Sequence, residues 1–123
     1  MRIAGKTVLL LEDEPIIGLA LEDLLFGQSA TPLFCGSLEE AGRTLDKATP
    51  DAAILDVNIH GEHSYPIAER LRGRGVPFIF ATGYGDALHP PEFASVPTIS
   101  KPYRASEVEQ AFATLSEQDG SGA

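Results

Sequence analysis

Short apolar runs that break off at carboxylates limit what this chain can fold into. Thr7 to Leu11 is apolar from Val8 onward and is followed at once by Glu12-Asp13, while Ala52 to Leu55 is followed by Asp56. Neither run alternates polar and apolar residues, so neither suits a strand with one wet face. Each reads as a strand buried on both sides, as in a parallel sheet covered by helices. Val76 to Ala81 reads as another such strand, Thr31 to Cys35 as a short one, and Pro97 to Ser100 as a weak fifth.

Between the runs the apolar spacing changes to three and four residues, the helical period. Ile17, Ala20, Leu21, Leu24 and Leu25 make one stripe, opened by Glu14-Pro15 with Asp13 as candidate N-cap and stopped near Gly27. Ser37 and Glu40 have capping-box spacing ahead of Leu38, Ala41 and Leu45. A loop with Gly61 leads into a helix from about Ser64 to Arg72, closed by Gly73 and Gly75. The last helix is expected over Ala105 to Glu117, with Val108, Ala111, Phe112 and Leu115 inward. Thr82 to Gly85 reads as a glycine-rich turn, and Pro90-Pro91 allow only a short or irregular helix between Asp86 and Val96. Strands alternating with helices imply right-handed crossovers and an α/β fold. The expectation is a flavodoxin-like, doubly wound, five-stranded parallel sheet in the order 2-1-3-4-5 with helices on both faces. One domain fills residues 1–118, and 119–123 form a small, polar, flexible tail.

Charge and cysteine usage narrow the function classes. A net charge of −9 over 123 residues argues against nucleic acid and against anionic membrane, which need basic patches. The single Cys35 has no disulfide partner and reads as a small core residue, in keeping with a reducing cytoplasm. Met1 to Lys6 show no signal-peptide run, and no apolar run is long enough to span a bilayer. The expected location is cytoplasmic.

In the expected strand order the first and third strands are neighbours, so Glu12 and Asp13 approach Asp56. Thr82 ends the adjacent strand and Lys101 follows the fifth, so three carboxylates, a hydroxyl and an ammonium meet at the edge where ligands bind in such sheets. Crowded carboxylates repel unless a cation joins them, and an oxygen-rich site with few protein ligands suits Mg²⁺. His60 and His63 lack the further ligands that zinc needs and are expected on a solvated loop, and His89 is expected at the surface.

The segments Leu10-Leu11-Glu12-Asp13-Glu14-Pro15, Ile54-Leu55-Asp56-Val57-Asn58, Ala81-Thr82-Gly83 and Lys101-Pro102 together resemble the response-regulator receiver pattern of chemotaxis-regulator-like domains, in order and in spacing. The resemblance implies a non-enzymatic signalling domain; with no output domain in view it is expected as a stand-alone receiver, either a diffusible messenger or a phosphate sink in a relay, or else as a receiver cut from a larger protein. The resemblance also implies that Asp56 accepts phosphate from a sensor histidine kinase or histidine phosphotransfer protein, that Asp13, Asp56 and the carbonyl of Asn58 ligate Mg²⁺, and that Glu12 acts through a bound water. Thr82 and Lys101 would contact the phosphoryl oxygens. Receivers commonly carry an aromatic switch residue three positions before the lysine, and here that residue is Thr98. Phe80-Ala81-Thr82-Gly83-Tyr84-Gly85 resembles instead a subgroup with an extended Phe-Ala-Thr-Gly motif and no aromatic switch.

Two other readings share the strand-end acids. A Mg²⁺-dependent aspartate-nucleophile phosphatase or phosphotransferase generally has a second acid two residues after the nucleophile, where this chain has Asn58. A flavin-binding electron carrier would set its phosphate against Glu12, Asp13 and Asp56. With Thr98 in the switch position, an order–disorder change over residues 82–96 is the expected route of signalling. That segment, the fifth strand and the last helix would then meet a downstream protein whose identity the sequence does not give. Tyr84 would shield the phosphoryl group, face a partner or simply pack.

Overall fold

The computed structural model describes residues 1–83, 89–101 and 103–120. In chain order the elements are β1 (Thr7–Leu11), α1 (Pro15–Gly27), β2 (Thr31–Cys35), α2 (Leu38–Lys47), β3 (Ala52–Asp56), β4 (Asn58–Ile59), β5 (Glu62–His63), α3 (Tyr65–Gly73), β6 (Phe78–Thr82), a 3₁₀ turn at Pro91–Phe93, β7 (Thr98–Ser100) and α4 (Ala105–Gly120).

Five strands pair in parallel in the order β2-β1-β3-β6-β7. The small hairpin β4–β5 takes two strand numbers, so this is the expected order 2-1-3-4-5. The continuous apolar runs explain why both faces are dry. Leu9, Leu11, Ala53, Leu55, Phe78 and Phe80 point to one side and pack under α2 and α3 through Ala41, Leu45, Ile67, Ala68 and Leu71. Val8, Leu10, Ala52, Ile54, Ile79 and Ala81 point to the other and meet Leu21, Leu25, Val108, Ala111 and Phe112 of α1 and α4. Alternate residues thus feed two cores, and a polar residue in either set would be buried.

Some local expectations need correction. Asp13 does not cap α1; Glu14 holds that position without a side-chain bond, and the Asp13 carboxylate instead accepts the His60 N–H at 2.9 Å. Ala20 is exposed, while Gly18 lies inside because a Cβ there would run into the Phe34 ring on β2. The other helix starts are as read: the Ser37 hydroxyl accepts the Glu40 N–H at 3.1 Å. The loop around Gly61 is a hairpin whose two central residues, His60 (φ 50) and Gly61 (φ 83), both take positive φ, as a type I′ turn requires. The final helix continues to Gly120 rather than stopping near Glu117.

Candidate functional site

Strand register brings the expected residues to one edge. Leu11 pairs with Leu55 and Asp56 with Ala81, so Glu12 and Asp13 leave β1 level with the end of β3. Thr82 is the last residue of β6 and pairs with Ser100; the backbone N–H of Lys101 donates to the Thr82 carbonyl at 2.8 Å, one step past the end of β7. All five side chains stand at the carboxyl ends of the strands, beside the place where the winding reverses.

Lys101 is the hinge of the cluster. Its Nζ lies 2.5 Å from Glu12 Oε1 and 2.8 Å from Asp56 Oδ2. Glu12 is 1% exposed, Asp56 6% and Thr82 7%, while Asp13 is only half-buried, so the cluster is sunk in the sheet edge with one carboxylate at its mouth. Burial pushes the Glu12 carboxyl up to about 7, against the pull of the Lys101 ammonium and of the Glu14 N–H, which donates to Oε2 at 3.1 Å. Burial alone would lower Lys101, but the hydrogen bonds to Asp56 and Glu12 outweigh it and hold the amine above its ordinary value.

Oxygens of Glu12, Asp13 and Asp56 lie within 4.8 Å of one another. One ammonium does not balance three carboxylates, and every donor is a hard oxygen, which fits Mg²⁺. Asn58 follows Asp56 by two residues and donates its N–H to Asp56 Oδ1 at 3.4 Å. Its amide oxygen accepts the Gly61 N–H at 3.0 Å, so its main-chain carbonyl is the group left to offer a cation. His60 and His63 are exposed, and among the described residues no His or Cys belongs to a metal-holding group.

Over 94% of its length the chain superposes on 98% of SdrG from Sphingomonas melonis Fr1, with a TM-score of 0.81 and 38% identity. A BeF3-activated conformation of SdrG from Pseudomonas melonis Fr1 matches at a TM-score of 0.75. The PhyR response regulator REC domain of Erythrobacter litoralis matches at 0.71 with 26% identity, covering 89% of this chain and 88% of that one. The chain belongs to the response-regulator receiver family. A CheY-like receiver domain from Methylobacillus flagellatus, 16% identical, shares the fold alone at a TM-score of 0.77 over 89% of this chain and 98% of that one. No family model and no curated protein sequence matches.

The receiver's site includes residues that sequence reasoning passed over. Tyr103, two residues after Lys101, has a buried hydroxyl without a hydrogen-bond partner among the described residues. Its phenol is raised far above the ordinary range by burial first and then by the charges of Glu12 and Asp56. His89 is less exposed than expected: it is half-buried against Phe80, with both ring nitrogens bonded. Cys35 is buried as expected, its Sγ 3.5 Å from Thr44 Oγ1. Tyr84 lies outside the described residues, as does the rest of 84–88. From His89 to Val96 the expected order–disorder segment is held by those bonds and by the fully buried Phe93.

Proposed function

We propose that this receiver is a phosphorelay response regulator that takes a phosphoryl group on Asp56 from a histidine kinase or histidine phosphotransfer protein, in a Mg²⁺-dependent reaction, and changes partner binding as a result. The observation that carries the reading is the Asp56 carboxylate, buried at the strand-end edge between Lys101 and two further acids. A carboxylate oxygen of Asp56 attacks phosphorus, the P–N bond to the donor imidazole breaks, and its electron pair stays on that imidazole. Bound Mg²⁺ would neutralise charge on the transferred oxygens. Asp13, Asp56 and the Asn58 carbonyl would hold it directly and Glu12 through a water. Lys101 supplies a second counter-charge, and Thr82 offers a hydroxyl from the adjacent strand end.

The arrangement is that of a switch rather than an enzyme turning over a free substrate, and Asn58 provides no acid where a phosphatase needs one. A cleft of about 380 Å³ beside Lys101, lined by Ile16, Ile17, Ala20, Leu24 and Tyr103, gives the donor protein an apolar footing next to the acceptor. Ile16 and Leu19 on α1 are 83% and 63% exposed, which supports contact with a protein there. Among the described residues no helix is long and apolar enough to cross a membrane, and the net charge of −9 disfavours nucleic acid. A cytoplasmic location and the Phe-Ala-Thr-Gly subgroup belong to the same reading. Incubation with acetyl phosphate and Mg²⁺ should give an acid-stable, base-labile adduct that mass spectrometry maps to Asp56 and that Asp56→Asn abolishes. Label on another residue overturns the proposal.

A further inference from the structure

The β6–β7 connection returns to the sheet at a histidine with both ring nitrogens bonded. His89 Nδ1 lies 2.9 Å from the Tyr65 hydroxyl and Nε2 lies 2.7 Å from Thr98 Oγ1. Thr98 Oγ1 also lies 3.2 Å from the Val96 carbonyl. A neutral imidazole donates through one nitrogen and accepts through the other, and each hydroxyl can take either role, so both tautomers satisfy the run from Tyr65 through His89 to Thr98. A continuous chain of bonds results.

This chain joins three elements at one ring. Tyr65 is the first residue of α3, Thr98 the first of β7, and the imidazole packs on Phe80 of β6 with ring centroids 4.5 Å apart. Phe80 and Thr98 are direct strand partners, two residues before the Thr82–Ser100 pair at the site. His89 also stands on a stiff stalk. Pro90 and Pro91 fix their own φ, Pro90 having φ −54, and Phe93 anchors the far end at 0% exposure while stacking on Tyr65. The two prolines limit how far the ring can follow a shift of β7, and its bonds weaken steeply as their geometry departs from the ideal. Such a contact has two states rather than a graded range.

We propose that His89 takes the place of the missing aromatic at residue 98 as the coupling residue, latching β7 to α3 while Lys101 grips the Asp56 carboxylate and releasing when Thr82 and Lys101 turn to a phosphoryl group. The inference rests on phosphorylation of Asp56. Lys101 is bonded through its backbone to Thr82, so a move of either shifts both strand ends that the latch spans. By linkage, removing the latch makes the released state easier to reach, and a ligand that selects that state binds more tightly.

The test is titration of the full chain with beryllofluoride and Mg²⁺, followed by NMR of backbone amides and imidazole nitrogens. In the free protein, His89 should show a single tautomer held by its two hydrogen bonds, and both ring-nitrogen signals should move on saturation. A net neutral hydrogen bond is worth roughly a factor of five. Thr98→Val, at an exposed position, and Tyr65→Phe should each tighten mimic binding about three- to fivefold, and His89→Ala about tenfold. The His89→Ala/Thr98→Val double variant should gain little over His89→Ala alone. Unchanged or weaker mimic binding in Thr98→Val and His89→Ala, with normal binding by the parent, overturns the latch alone. Failure of the parent to bind the mimic overturns the Asp56 reading and the latch with it.

Discussion

Replacing Lys101 by methionine keeps an apolar stem of similar length and removes the charge. Glu12 and Asp56, now held 2.5 and 2.8 Å from the ammonium, would face each other unpaired at 1% and 6% exposure. Removing one partner of a buried ion pair costs about 3–5 kcal/mol. For a domain of this size about 1 kcal/mol moves the midpoint by about 4 °C, so a loss of about 12–20 °C is expected near pH 8. The loss depends on pH, with a sign set by Glu12. A carboxyl raised from 4.5 to about 7 in the fold stabilises in its protonated form, and that contribution fades as pH rises through this window. In the variant the same carboxyl can donate to Asp56 once protonated, so the deficit should be largest above about pH 8 and shrink toward about pH 5.5. Thermal unfolding followed by circular dichroism, without divalent cations, measures both. A midpoint within about 3 °C of the parent near pH 8, or a deficit that grows on acidification, refutes the argument.

Asp13→Ala should weaken Mg²⁺ binding strongly and Glu12→Ala less, since only the first is expected to ligate directly; calorimetric titration separates them, and equal, unchanged affinities would remove the cation from the site. His89 sits below its ordinary value of 6.5 because burial disfavours the imidazolium. Among the described residues, the groups bonded to it are the neutral Tyr65 and Thr98, with His63 packed beside Tyr65 and Arg72 over Phe93. A base depressed in the fold stabilises above the unfolded pKa and loses that contribution as pH falls below about 6.5. The stability difference between parent and His89→Phe should therefore narrow on acidification, and a difference independent of pH between about 7 and 5 would contradict the burial argument.

Much of this was written in the chain because the governing signals are local. Val8–Leu11 and Ala52–Leu55 are apolar at every position, which only a doubly covered sheet tolerates, and their trailing acids mark the carboxyl edge. What stayed hidden depends on partners far away in sequence. No pattern around His89 announces burial; its place is made by Phe80, Tyr65 and Thr98. Asp13 looked like a cap because its neighbour opens a helix, yet its carboxylate is drawn to the hairpin at His60. The hairpin itself has strands of two residues, below the length at which alternation can be read. Nothing in the sequence singles out Tyr103, because only the fold sets its hydroxyl near the acids.

The turn at His60-Gly61 also changes where this pocket can be tuned. Asn58 would contribute through its main chain, so the identity of residue 58 has little hold on that contact, whereas the path of the chain around residue 61 has a great deal. Gly61 has φ +83, and a Cβ built there meets nothing within 4 Å. An alanine at 61 would thus act through torsion alone, with no clash and no change of charge. A designer wishing to alter cation affinity in small steps, leaving every carboxylate in place, has a dial there that no inventory of ligands would reveal.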